Sequence, residues 1–296
     1  MPAISNPDQL TAVIGFTLPQ SALDHDASIY LTYDPAHSRP SEKVRVPVTD
    51  LRPELEGAVP VPVGVQLAER GYAVMKHRSG LLSGIPSEEG TQRYLDECAG
   101  ILKAELGASR VIPWNSVVRQ NKDDVKLKDV PRQQGPEQGF IPTTRIQPIA
   151  GVAHVDQDEV WGHELCGKAA GKSAGSFKRV QIVNIWRPLQ GPVTNAPLAM
   201  ADYRHLPPSS LAKHGHLFGV GFDIHHDASQ HWAYIRHQMP DEIILLRCYD
   251  SDQGQHGEAL YCGHVAVRVD GDAEGVDPAL VRPRESIEVR LVAIWE

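Results

Sequence analysis

The chain has 296 residues, 41% hydrophobic and 22% charged, with a formal net charge of −8 at pH 7, a composition that supports a sizeable core and excludes wholesale disorder. Lys and Arg are scattered without a basic stripe, which argues against nucleic acid as a partner because phosphate contacts need clustered cations. No apolar run approaches the roughly 18 residues of a membrane helix, and Met1 to Gln9 lack the basic and apolar regions of a signal peptide, so the expectation is a cytosolic protein with no membrane partner.

Up to about Pro60 the chain reads as strands and turns, punctuated at Tyr33-Asp34-Pro35 and Arg39-Pro40. Tyr72-Ala73-Val74-Met75 reads as a short strand after Gly71. The clearest helix runs from about Ser87 to Leu106. Ser87 is an N-cap residue, Leu95, Cys98, Ile101, Leu102 and Leu106 recur at helical spacing, and Gly107 supplies the stop. From Arg110 the pattern changes to short apolar runs between turns: Val111 to Val118, Val180 to Trp186, Ile243 to Cys248, Leu260 to Val269 and Ile287 to Trp295. That spacing predicts an antiparallel all-β core. Gln120 to Pro148 is polar and rich in Pro, Gln and Lys, the composition of a mobile loop of the kind that often covers a site. Lys168 to Ser176 reads as a flexible connector. The expectation is one domain over 1–296, with the strands and helix of 1–110 packed on a β barrel formed by 111–296.

The four cysteines, Cys98, Cys166, Cys248 and Cys262, form no CxxC pair, which excludes zinc-ribbon chemistry and leaves single buried thiols. The 14 histidines are many for this length, and most must be core or surface residues, since one mononuclear site uses only two or three. In Ala153-His154-Val155-Asp156-Gln157, residues two apart point to one face of a strand, so His154 and Asp156 present an imidazole and a carboxylate side by side. Those are two corners of the facial triad that holds iron(II) and leaves positions open for co-substrate and oxygen. Leu260 to Val267 reads as a strand with His264 at its centre, the third donor. In Arg284-Glu285-Ser286-Ile287-Glu288-Val289-Arg290, a guanidinium and a hydroxyl, Arg284 and Ser286, share a face. A cationic fork beside a hydroxyl suits the distal carboxylate of a dicarboxylic acid such as 2-oxoglutarate.

Further segments carry a resemblance. Gln181 to Leu189 with Gly191-Pro192-Val193, Pro197-Leu198-Ala199 and Asp202, then Met239 to Glu242, Cys248 to Ser251 and Arg284 to Arg290, resemble a family of secondary-metabolite oxygenases. It takes in cephem 7α-methoxylase-like, fungal gibberellin desaturase-like and aspergillic acid-type hydroxylase/desaturase proteins, and the resemblance covers most of the chain from about residue 45. It implies a double-stranded β-helix (jelly-roll, cupin-like) core with flanking helices, mainly β, and the use of Fe(II), 2-oxoglutarate and O2 on a small molecule. It places the first two ligands at His154 and Asp156 and the third at His264. The chain departs from the family pattern around Gly263-His264-Val265, which bears on the third ligand, and at Asp158, which bears on the entrance to the site, so the family's substrates are not carried over.

Other residues are candidates beside these. His225, His226, His231 and His237 compete for the third ligand, while His163, His205, His214, His216 and His256 sit in loop-like contexts and read as solvated. Asn184 and Trp186 share a strand face, with Asn184 a hydrogen-bond donor to the co-substrate and Trp186 either pocket wall or core. Arg187 is equally an ion-pair or an anion contact, Arg119 is a further candidate for an acidic ligand, and Arg290 is the fallback for the carboxylate. Two other classes fit the same pattern less well: a co-substrate-free cupin-like metal enzyme, and a non-catalytic partner subunit of a two-component system. Self-association into a homo-oligomer is compatible with all of this.

Overall fold

Short apolar runs bounded by turns fold into strands paired in two sheets. The computed structural model describes residues 9–32, 39–85, 87–121, 146–216 and 219–296. Its strands are β1 (Thr11–Thr17), β2 (Ser41–Asp50), β3 (Tyr72–Lys76), β4 (Arg110–Gln120), β5 (Ile146–Gln147), β6 (His154–Val155), β7 (Arg179–Pro188) and β8 (Leu198–Ala201). There follow β9 (Leu211–His216), β10 (Gly219–Ile224), β11 (Trp232–Tyr234), β12 (Glu242–Asp250), β13 (His264–Ala266), β14 (Arg268–Val269) and β15 (Glu285–Trp295). The α-helices are α1 (Arg52–Leu55), α2 (Val63–Arg70), α3 (Glu88–Leu106) and α4 (Glu159–Ala170).

The larger sheet has the order β14-β1-β2-β11-β8-β13-β6-β10-β9, and the smaller β3-β12-β7-β15-β4-β5. Pairing is antiparallel except for β11 with β2 and β4 with β5. The larger sheet curls: β1 returns to β6 through Ala153 N–H donating to Gly15 O at 2.8 Å, and closes on itself with Ile14, Phe16, Val155, Ile224, Trp232 and Val265 inside. This is a mainly β, jelly-roll architecture with helices on its flanks.

Between the two sheets lie Ile182, Trp186, Met200, Ile244, Leu246 and Val292, closed from one side by Leu165 and Cys166 of α4. The opposite face of the smaller sheet, with Val183, Ile185, Val289 and Leu291, is covered by α3. Sequence dictates both ends of α3. Ser87 Oγ accepts from Gly90 N–H at 3.0 Å, Glu88 and Glu89 meet the positive end of the helix dipole, and Gly107 takes φ 63° to end it. Its Tyr94, Leu95, Cys98 and Leu102 are fully buried, and full burial of a Leu-sized side chain contributes about 1.5–3 kcal/mol.

Three expectations differ from the structure. Lys168 to Ser176 is no loose connector: α4 runs on to Ala170, Gly171 caps it at φ 69°, and a 3-10 turn spans Ala174–Ser176. Asp158 starts this helix by accepting from Trp161 N–H at 2.8 Å. Leu260 to Val269 is not one strand but two short ones, β13 and β14, parted at Val267, whose N–H donates to Pro197 O at 3.0 Å, and Leu260 to Gly263 precedes them outside any strand. The stretch before Pro60 includes the short helix α1. Most of the Gln120 to Pro148 loop, like Tyr33-Asp34-Pro35, lies outside the described residues.

Candidate active site

One line of side chains crosses the inner face of the larger sheet. Strand register sets Met200 opposite His264, His264 opposite His154, and His154 opposite Asp223. Asp156 follows at the end of β6 and turns its carboxylate back, with Oδ1 3.5 Å from His154 Nε2 and 3.9 Å from His264 Nε2. Two imidazole nitrogens and one carboxylate oxygen therefore lie within 4.8 Å of one another, among the described residues the one such cluster that can hold a metal. Each ring is oriented from behind: His154 Nδ1 lies 2.8 Å from Val152 O, and His264 Nδ1 3.2 Å from Cys262 O. A carbonyl only accepts, so each Nδ1 carries the proton and each Nε2 offers a lone pair inward.

The facing wall is the inner side of the smaller sheet. Arg290 lies opposite Asn115 on β4 and Asn184 on β7; Glu288 opposite Val117 and Trp186; Ser286 opposite Arg119 and Pro188. Trp114 is the extra residue of a bulge in β4, where the register with β15 shifts between Arg290 and Leu291. Asp156 Oδ2 accepts from Asn184 Nδ2 at 2.8 Å and lies 3.4 Å from Arg290 Nε. Burial alone would raise the Asp156 carboxyl, but the Arg290 charge, the His154 contact and the His264 ring hold it well below the usual carboxylate range.

At the far end of this wall sits Arg284, 4% exposed, its Cζ 5.5 Å from the centre of the Trp186 ring. Its Nη1 donates to Ala196 O at 2.7 Å, yet its Nε is buried without a hydrogen-bond partner among the described residues. So is Ser286 Oγ, in a residue only 1% exposed. Burial, and then the like charge of Arg119, pull the Arg284 guanidinium down to about 9. Arg119 itself is half-buried and donates to Pro148 O at 2.7 Å. A buried guanidinium short of one acceptor, beside a hydroxyl with none, is destabilised until an anion satisfies both. The residues fit a carboxylate at this end and a divalent cation at the other.

The remaining candidates separate cleanly. Arg187 is a clamp on the outer face of β7: it donates to Tyr94 Oη at 2.7 Å, His77 O at 2.7 Å and Pro240 O at 2.6 Å, tying α3 to the sheet. Arg290 lies farther along β15, opposite Asn184, and its Nε is 3.4 Å from Asp156 Oδ2. Asn184 touches Asp156 and Glu288. Trp186 is part of the core, and its ring faces the Arg284 guanidinium. None of the four competing histidines belongs to the donor cluster. His225 Nε2 meets Ser209 O, His226 packs on Phe16, His231 stacks on His205 at 3.7 Å, and His237 Nε2 meets Asp272 O. His163 lies on α4 rather than in a loop, with Nδ1 3.1 Å from Tyr249 Oη. His214 is not simply solvated: it is on β9, with Nδ1 2.7 Å from Asp223 Oδ2. Sequence reasoning missed Glu288, Asn115 and the His214–Asp223 pair. The two-residue step from Ser286 to Glu288 to Arg290 was the available signal for the first.

This jelly roll with its two-histidine, one-carboxylate cluster has the form of an oxygenase-type metal protein. The chain belongs to the family described as YDMC, an oxidoreductase/YMDC permease-like domain, matched over residues 20–294. It is 30% identical over 222 residues to the hydroxylase/desaturase efuI of Hormonema carpetanum, spanning 69% of this chain and 70% of that one. It is 31% identical over 205 residues to the Fe(II)/2-oxoglutarate-dependent dioxygenase nvfI of Aspergillus novofumigatus (67% and 64%). A solved structure titled as the iron and alpha-ketoglutarate-dependent endoperoxidase NvfI superposes with a TM-score of 0.74 at 20% identity, covering 97% of this chain and 98% of that one. At that identity the superposition speaks for the fold.

Proposed function

We propose that the chain is an Fe(II)- and 2-oxoglutarate-dependent oxygenase acting on a small molecule of secondary metabolism. His154, Asp156 and His264 hold the metal, and Arg284 and Ser286 grip the far carboxylate of 2-oxoglutarate. The observation that carries the co-substrate reading is the pair of buried, unpartnered polar atoms, Arg284 Nε and Ser286 Oγ, on the wall facing the donor cluster. A cupin-like metal enzyme without a co-substrate would leave both unsatisfied, and the named relatives point to the same reading.

When bound together, iron(II), 2-oxoglutarate and O2 supply oxidation of a C–H bond while 2-oxoglutarate is converted to succinate and carbon dioxide. The chain's own residues bind and orient. Arg119 adds a second cation near the carboxylate end, and Trp186 packs along the Arg284 guanidinium and shields it from water. Along the larger sheet the donors are flanked by apolar Met200 on one side and the Asp223–His214 pair on the other. That pair is where a polar group of the substrate would be held.

The test is anaerobic titration of the purified protein with Fe(II) and 2-oxoglutarate, followed by the weak visible charge-transfer absorption of the chelate. Absorption that requires both components and disappears in Arg284→Met supports the assignment. Tight Fe(II) binding with no absorption would instead favour a metal enzyme without a co-substrate.

A further inference from the structure

Glu288 is a buried carboxylate, 5% exposed, which neither the metal nor 2-oxoglutarate requires. It stands on the inner wall between Ser286 and Arg290, where a negative charge opposes anion binding. Its contacts run elsewhere. Oε1 accepts from Asn184 Nδ2 at 2.8 Å, and Oε2 lies 3.3 Å from Arg290 Nη2. The same Asn184 amide donates to Asp156 Oδ2, and the same guanidinium turns its Nε toward that oxygen while Nη1 donates to Asn115 Oδ1 at 3.0 Å. Asn184 is fully buried and Arg290 is 8% exposed, so neither donor has water as an alternative.

We propose that Glu288 is a positioning residue for the metal ligand Asp156. By anchoring Asn184 and Arg290 it keeps Asp156 Oδ2 engaged from the side away from the histidines, so that Oδ1 alone meets the metal. An Asp156 free to rotate would offer both oxygens and occupy a coordination position that the co-substrate or oxygen needs. The geometry explains why a carboxylate is used. A neutral side chain would satisfy Asn184 but would leave Arg290, 3.4 Å from Asp156, to the charge of the ligand and free to close on it.

This inference rests on the proposal that Asp156 binds metal, and the experiment separates the two. Fe(II) affinity is measured anaerobically by competition with a chromophoric chelator, and Co(II) is added alone so that its visible d–d absorption reports coordination number. Glu288→Ala should weaken Fe(II) binding about 10- to 100-fold, the usual effect of losing a partner that orients a ligand. It should also change the Co(II) absorption as the Asp156 carboxylate reorients, whereas Glu288→Asp should recover part of both. Asn184→Ser, which removes the donor between the two carboxylates, should behave like Glu288→Ala and serves if that variant does not fold. Wild-type affinity and Co(II) absorption in Glu288→Ala, or in Asn184→Ser where that replaces it, would overturn the inference. Wild-type metal binding by Asp156→Ala would overturn the ligand assignment itself.

Discussion

His154 and His264 face each other across a single antiparallel register position, with ring centres 4.4 Å apart and planes inclined at 55°. Each is oriented by the backbone carbonyl two residues before it, and the two are brought together by the pairing of β6 with β13. His264→Ala is therefore expected to abolish stoichiometric Fe(II) binding. His231→Ala and His237→Ala, which remove rings committed to His205 and Asp272, should bind as wild type. Metal analysis after gel filtration, or anaerobic calorimetry, distinguishes the two outcomes.

The carboxylate end predicts graded losses. A hydrogen bond to a charged group is worth about 1.5–3 kcal/mol, so Ser286→Ala should weaken 2-oxoglutarate by roughly 10-fold or more. Arg284→Met removes the charge as well and should cost about 100-fold or more. Calorimetry with Fe(II)-loaded protein reads both, and equal affinities would place the carboxylate elsewhere.

Arg187 should matter for stability and not for the site. Arg187→Met strands Tyr94 Oη and the carbonyls of His77 and Pro240 in the interior, an expected loss of about 2–5 kcal/mol in urea unfolding. The protein that remains folded should bind Fe(II) and 2-oxoglutarate normally.

All four thiols are buried, and burial pushes Cys98 up to about 12 and raises Cys166, Cys248 and Cys262 as well. A thiol with a raised pKa in the folded state contributes stability that is complete below the unfolded value of about 8.5 and is lost as pH climbs toward the folded one. Native protein should then leave Ellman's reagent unreacted at pH 8 and release all four thiols on unfolding. Its unfolding free energy should fall on going from pH 8 to 10, by at most about 1.4 kcal/mol per pH unit for each thiol. Rapid labelling of the native protein would show that a thiol is accessible.

Much of this architecture was legible in the chain. The 3.6-residue spacing of α3 and its Ser87 and Gly107 caps, and the strands at Val111, Val180, Ile243 and Ile287, are local patterns that tertiary packing reinforces. His154, Asp156, Arg284 and Ser286 were legible because a two-residue step on a strand places side chains on one face. What was not legible depends on neighbours far away in sequence. Arg290 reads as a second cation on the Arg284 face, and only the bulge at Trp114 and the register with Asn184 show that it reaches Asp156 instead. His214 looked solvated because its partner, Asp223, is supplied by the adjacent strand. The start of α4 was hidden because Asp158 follows directly on the HxD segment.

The alternation along β15 works like a reading frame. Arg284, Ser286, Glu288 and Arg290 point to the chemistry, while Ile287, Val289 and Leu291 point under α3. Loss of one residue between Glu285 and Val289 would exchange the two sets for part of the strand, driving charge beneath the helix and aliphatic groups into the pocket. A single substitution on this strand removes one contact, whereas a change of length misplaces every side chain beyond it.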